Sequence, residues 1–165
     1  MSLYEKALSI ATKAHMGQER MNGDAYITHP IRVADRFEEE MHKTIAVLHD
    51  TIEDTDITKE RLLIEDIPKD IVKAVVKLSK IRKKKETYFA FIMRICEPND
   101  KDCEFKEWEL MAIRVKLADL EDNLRDLNEG SMKDKYRFAH KILKWTLESN
   151  EIHDNSGFHT EAKYD

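Results

Sequence analysis

The chain has 165 residues, 41% of them hydrophobic and 37% charged, with only four glycines and three prolines; this is the composition of one globular domain and excludes disordered, collagenous and repeat-built chains. Its 28 Lys and Arg stand against 33 Asp and Glu, a formal charge of -5, which excludes a protein built mainly to bind nucleic acid and requires any anionic ligand to be attracted locally. The longest apolar run, 88–93, is far below the roughly 18 residues of a membrane span, and the charged N-terminus does not read as a signal peptide. Two cysteines, Cys96 and Cys103, without a CxxC pair suggest neither a disulfide framework nor a thiolate metal site, so a reducing cytoplasm is expected.

Helical periodicity recurs along the chain and no stretch keeps the apolar/polar alternation of a half-buried strand, which predicts an all-α fold. Ser2 and Glu5 form a capping box, and Leu3, Ala7, Ile10, Ala11 and Ala14 make one stripe that Gly17 ends. Residues 18–28, with Asn22-Gly23, read as a loop. Pro30 suits the first position of a second helix capped by Thr28 or His29, with Ile31, Ala34 and Phe37 inward. A third helix is expected over 42–54. Asp56 or Thr58 caps a short helix to Asp66, and Pro68 opens another on Ile71, Val72, Val75 and Leu78. After the basic run 80–86, the spacing of Phe89, Ile92, Met93 and Cys96 predicts a helix ended by Pro98 and Asn99. Trp108, Met111, Val115, Leu120, Leu124 and Leu127 mark a long helix over 104–127 that Gly130 terminates. A last helix is expected over 133–149, giving one bundle over 1–149 and a flexible tail over 150–165.

Within the third helix, His49, Asp50, Glu53 and Asp54 share one sector of a helix whose other residues are mostly apolar. Carboxylates there repel one another and oppose the macrodipole, and a divalent cation would offset both; the alternative is a helix end with its acids in solvent. His29 at a helix start and Asp119 on a largely apolar helix are each weak signals alone. Together with His49 and Asp50 they supply two imidazole nitrogens and two carboxylate oxygens, leaving positions open for water and substrate. Glu53 and Asp54 then remain for proton transfer. Asn123, one turn beyond Asp119, can donate to a substrate oxygen.

The order AHMGQER (14–20), YITHP (26–30), HDTIEDT (49–55) and VKLADLEDN (115–123) resembles the HD-superfamily metal phosphohydrolases, in particular the alarmone hydrolase domain of RelA/SpoT-type proteins and their stand-alone small relatives. The resemblance implies a single HD-domain helical bundle. It implies one Mn2+ held by His29, His49, Asp50 and Asp119, with Glu53 and Asp54 positioning or activating the attacking water. Arg20 and Asn123 then help bind the nucleotide, and the reaction is removal of the 3′-pyrophosphate from guanosine polyphosphates. With no room for a synthetase domain, a hydrolase-only chain is expected. Arg20 and Lys116 can offset the charge growing on phosphate. The run Lys80, Arg82, Lys83, Lys84 and Lys85 reads as a solvated hinge more readily than as a phosphate clamp. His15, His42, His140, His153 and His159 read as packing or surface residues.

The chain departs from that family at three places. Met21 stands where the family commonly has Lys, Leu120-Glu121-Asp122-Asn123 where it usually reads Arg-Leu-His-Asn, and Asp126 where it commonly has Thr. These changes leave the metal set intact and shift the expected base preference. Two other readings stay open. One is a related phosphohydrolase acting on an adenosine polyphosphate, NADPH or a nucleoside monophosphate. The other is a non-catalytic sensor of nucleotide or metal whose amphipathic helices self-associate; the intact Glu53 and Asp54 weigh against it.

Overall fold

The computed structural model describes residues 1–80, 85–100 and 104–155, without the side chains of 151–155. Its helices are α1 (Leu3–Ala14), α2 (Thr28–Ala34), α3 (Glu40–Leu48), α4 (Thr51–Asp54), α5 (Lys59–Ile64), α6 (Lys69–Leu78), α7 (Tyr88–Ile95), α8 (Glu107–Asp126) and α9 (Ser131–Asn155). Among the described residues there is no strand, only an isolated antiparallel bridge between Glu19 and Ala25; the all-α expectation holds. No described helix is long and apolar enough to cross a membrane.

Helix α3 lies at the centre, against α1, α2, α6 and α8, and α8 in turn meets α2, α6 and α9. This arrangement follows from sequence. Ile45, Ala46, Val47 and Leu48 leave the C-terminal half of α3 no polar stripe, so it is enclosed, whereas α6 buries the side that carries Ile71, Val72, Val75 and Leu78 and exposes Lys69, Asp70 and Lys73. Ile113 and Leu120 of α8 and Leu143 of α9 are fully buried as well. The expected caps form: Ser2 and Glu5 make the capping box, and the Thr58 hydroxyl accepts the Arg61 amide at 3.2 Å.

Several expectations are corrected. Helix α2 begins at Thr28 and not at Pro30, because a turn with Thr28 N to Ala25 O at 3.0 Å and His29 N to Tyr26 O at 3.0 Å already starts it. The helix expected over 42–54 is two, α3 and α4, with His49 and Asp50 between them. In α7 the buried residues are Phe91, Ile92 and Ile95, while Phe89 is exposed. Its sequence is apolar all round, so spacing alone did not fix the inward face. Helix α9 extends to Asn155. Residues 156–165 of the expected tail, and 81–84 of the basic run, lie outside the described residues.

A buried ion pair joins α6 to α8 far from these features. Lys77 donates to Glu109 Oε1 at 3.0 Å, to Asn99 Oδ1 at 3.0 Å and to the Glu97 carbonyl at 2.7 Å. Glu109, with no exposed surface, also accepts the Asn99 amide at 2.8 Å and the Lys106 amide at 3.0 Å. One carboxylate thus ties together both ends of the connection between α7 and α8. Glu109→Ala should lower unfolding stability by about 3–5 kcal/mol, since it strands a buried ammonium, and the Lys77→Met, Glu109→Leu pair should cost clearly less. Urea titrations of the three proteins check this; equal losses would mean that packing, not charge, is what Glu109 supplies.

Candidate metal centre

The break between α3 and α4 is made by side chains. His49 Nδ1 bonds the Ala46 carbonyl at 2.7 Å and the Thr51 hydroxyl bonds the Leu48 carbonyl at 2.7 Å, taking acceptors that the helix ladder would otherwise use. Ladder bonding then resumes, with Asp54 N to Asp50 O at 2.9 Å. A carbonyl only accepts, so Nδ1 of His49 carries the proton and Nε2 is turned toward the interior.

Four of the residues singled out by sequence meet there. His49 Nε2 stands 3.0 Å from Asp50 Oδ2 and 3.5 Å from Asp119 Oδ1. His29 Nε2, brought in by α2, is 3.0 Å from Asp119 Oδ1 and 3.9 Å from Asp50 Oδ2. Donor atoms of His29, His49 and Asp50 all lie within 4.8 Å of one another. The two imidazoles and Asp119 are buried, and Asp50 keeps 19% of its side chain exposed, which leaves one approach open.

Electrostatics make this a place for positive charge. Burial opposes ionisation of Asp50 and Asp119, yet His49 beside Asp50, and Lys116 beside Asp119, hold both carboxyls well below the usual range. Burial likewise favours neutral His49, but the same two carboxylates raise it well above its ordinary value. His49 Nε2 is nevertheless a buried nitrogen without a hydrogen-bond partner among the described residues, its neighbours lying off the line of a hydrogen bond. An inward-facing imidazole nitrogen with two carboxylates around it fits a divalent first-row ion, and the open side fits water or substrate.

Around this group the other expected residues are placed as follows. Lys116 Nζ donates to Asp119 Oδ2 at 2.6 Å and Asn123 Nδ2 to Asp119 Oδ1 at 2.7 Å, so both hold the carboxylate. Arg20 donates to Asn123 Oδ1 at 3.4 Å and to Asp126 Oδ2 at 3.2 Å, and lies 3.6 Å from Asp122. Glu53 accepts the Lys80 amide at 2.7 Å; burial, with Asp54 and Asp50 nearby, pushes its carboxyl up against the opposing pull of that amide. Asp54 accepts from the Tyr26 hydroxyl at 3.3 Å. Glu53 and Asp54 do not share one helical sector with His49 across a continuous helix, because the break intervenes. Met21 is fully exposed at the loop turn.

Tyr26, Asp122 and Arg32 also belong to the site, although neither motif nor spacing alone singles them out. The Tyr26 hydroxyl donates to Asp50 Oδ2 at 2.6 Å, its ring stacking on His15 at 4.7 Å. Burial and Asp50 raise its pKa so far that it stays a donor. Asp122 receives His29 Nδ1 at 2.7 Å and a two-pronged bond from Arg32 at 2.9 and 2.8 Å. Although burial opposes it, these donors hold the Asp122 carboxyl down to about 2. The available signals were helical offsets, Asp122 three residues after Asp119 and Tyr26 three before His29. Adding Mn2+ at 100 times its dissociation constant should stabilise the chain by about 2.7 kcal/mol, a rise of roughly 5–10 °C in Tm at this size. Asp119→Ala should lose most of that rise; an undiminished rise removes Asp119 from the ligand set.

No protein-family model matches the chain. Over 148 residues it is 36% identical to guanosine-3′,5′-bis(diphosphate) 3′-pyrophosphohydrolase of Haemophilus influenzae, covering 84% of this chain and 20% of that protein. Over 153 residues it is 36% identical to the bifunctional (p)ppGpp synthase/hydrolase SpoT of Escherichia coli, covering 87% and 20%. The chain thus spans about a fifth of the length of these curated relatives. A solved structure of a metazoan ortholog of SpoT, described as hydrolysing ppGpp, superposes with a TM-score of 0.64 at 22% identity, covering 94% of this chain and 97% of that one. Over most of its length the chain is therefore similar to one segment of these longer bacterial proteins, and it shares the fold of the metazoan SpoT ortholog.

Proposed function

We propose that the chain is an Mn2+-dependent phosphohydrolase that removes the 3′-pyrophosphate from guanosine polyphosphates, with His29, His49, Asp50 and Asp119 as metal ligands. The observation that carries this reading is the meeting of those four side chains at one point, with the raised Glu53 carboxyl nearby. The activities of the relatives, SpoT and the Haemophilus influenzae pyrophosphohydrolase, support it. Such an ion, when bound, polarises a phosphoryl oxygen and makes water a better nucleophile.

Hydrolysis joins a water oxygen to the phosphorus next to the ribose and breaks the bond from that phosphorus to the 3′-oxygen, so one proton leaves the water and another must reach the departing oxygen. Glu53 suits the first role, since a carboxylate raised by burial is a stronger base than a solvated one. Asp54, fixed by Tyr26, orients the water. Arg20 and Asn123 address phosphate oxygens, Arg20 exchanging its contact with Asp126 for one with the substrate. Lys116 keeps Asp119 ionised and adds positive charge beside the transferring group. Because Met21 is exposed and uncharged, the base meets no charge-directed contact there, and purine preference is modest.

The test is pyrophosphate release from guanosine and adenosine 3′-pyrophosphates, and phosphate release from nucleoside monophosphates, with added Mn2+. The guanosine compound should be cleaved, and its kcat/KM should exceed that of the adenosine compound by no more than roughly 10 to 200-fold. Glu53→Gln keeps an acceptor for the Lys80 amide and should retain metal, yet lose turnover by a factor on the order of 100 or more. The base works only when ionised, so wild-type activity should fall with decreasing pH through a pKa above the unperturbed Glu value of about 4.3, and Glu53→Gln should lack that limb. Cleavage of monophosphates alone would place the chain in a different nucleotidase class.

A further inference from the structure

His29 and His49 are turned toward the same point by different means. For His49 the orienting group is a backbone carbonyl, Ala46 O at 2.7 Å from Nδ1. For His29 it is a side chain, Asp122, whose Oδ2 lies 2.7 Å from Nδ1. Asp122 is only 3% exposed and sits on α8 one turn after Asp119, so one helix contributes both the carboxylate on the Nε2 side of His29 and the one on its Nδ1 side. Arg32 grips Asp122 through Nε to Oδ1 at 2.9 Å and Nη2 to Oδ2 at 2.8 Å. This two-pronged bond fixes the plane of the carboxylate and keeps Oδ2 on the imidazole. Arg20 Nη1 is 3.6 Å from the same Oδ2.

We propose that Asp122 is the positioning residue of the metal centre: it fixes His29 as the tautomer protonated at Nδ1, aims the Nε2 lone pair at the ion, and joins that ligand to Arg20 at the phosphate end. The inference rests on the metal-centre reading above. The physical ground is that an ionised carboxylate only accepts, so Nδ1 donates to Asp122, and Nε2, which faces Asp119 Oδ1 at 3.0 Å, is the nitrogen whose proton a cation displaces, leaving its lone pair on the ion. A carboxylate behind a ligating imidazole holds the ring in place and raises its basicity. Without Asp122 the ring is left between donors on one side and Asp119 on the other. The favoured arrangement then places the proton on Nε2, donated to Asp119, which blocks the ligand position.

The experiment titrates the purified full chain with Mn2+, reading free ion by electron paramagnetic resonance, for wild type, Asp122→Asn and Asp122→Ala. Long-range 1H–15N spectra of the Zn2+-loaded wild type are recorded alongside, because Zn2+ is diamagnetic. The spectra should show His29 protonated at Nδ1 with Nε2 bare. Asp122→Asn should weaken Mn2+ binding about 10 to 100-fold and scramble the His29 tautomer in the metal-free state, while His49, held by a backbone carbonyl, keeps its own. A wild type that binds Mn2+ but shows His29 protonated at Nε2 overturns the inference even if neither variant folds. So does Asp122→Asn with wild-type affinity. A wild type that binds neither ion defeats the metal-centre reading itself, and this inference with it.

Discussion

Two carboxylates, Asp50 and Asp119, are brought to within 3.0–3.9 Å of two buried imidazole nitrogens where α2, α3 and α8 meet, and the surrounding structure is organised around keeping them ionised there. Taking a carboxylate out of water costs several kcal/mol unless a partner offsets it. Lys116 and Asn123 serve Asp119, and Tyr26 and His49 serve Asp50. The enclosed helix α3 supplies the rigid side of this centre. The interruption before α4 supplies the geometry, because a continuous helix would have used the Ala46 and Leu48 carbonyls that now orient His49 and Thr51.

From that centre the electrostatics are graded outward. The interior holds the imidazoles and carboxylates; the next residues, Asp122 with Arg32 and Arg20, alternate in sign; the rim carries Asp126, half exposed against Arg20. A phosphate-bearing ligand entering from the Asp50 side would compete with Asp126 for Nη2 of Arg20. That competition is a physical reason to expect the departures Met21 and Asp126 to act on substrate preference and to leave the metal group unaffected. Phe89 of α7 and Phe138 of α9 are exposed and, with Tyr88, line one apolar pocket between these helices.

The sequence made the helices and the core faces legible wherever one face was apolar and the other polar, as in α6 with Ile71, Val72, Val75 and Leu78. It is silent where that contrast fails: α7 is apolar on nearly every side, so the spacing that predicts the helix does not say that Phe89 is exposed and Phe91 buried. The HDxxED spacing marked the site, but periodicity continues through residues 49–50, so the break was invisible; it is made by side-chain bonds to carbonyls, which carry no hydrophobic signature. The pairing of Lys77 with Glu109, and of Asp122 with His29, has no signal in the sequence, because the partners lie 32 and 93 residues apart. Long-range pairing of polar groups is what a single sequence does not display.

The central claim is that one divalent ion is held jointly by His29, His49, Asp50 and Asp119. The most direct measurement is anomalous diffraction at the manganese edge from crystals grown with Mn2+. The account requires a single strong peak within coordination distance of His29 Nε2, His49 Nε2 and oxygens of Asp50 and Asp119. A peak held by other residues, or none at full saturation of the protein, would contradict it.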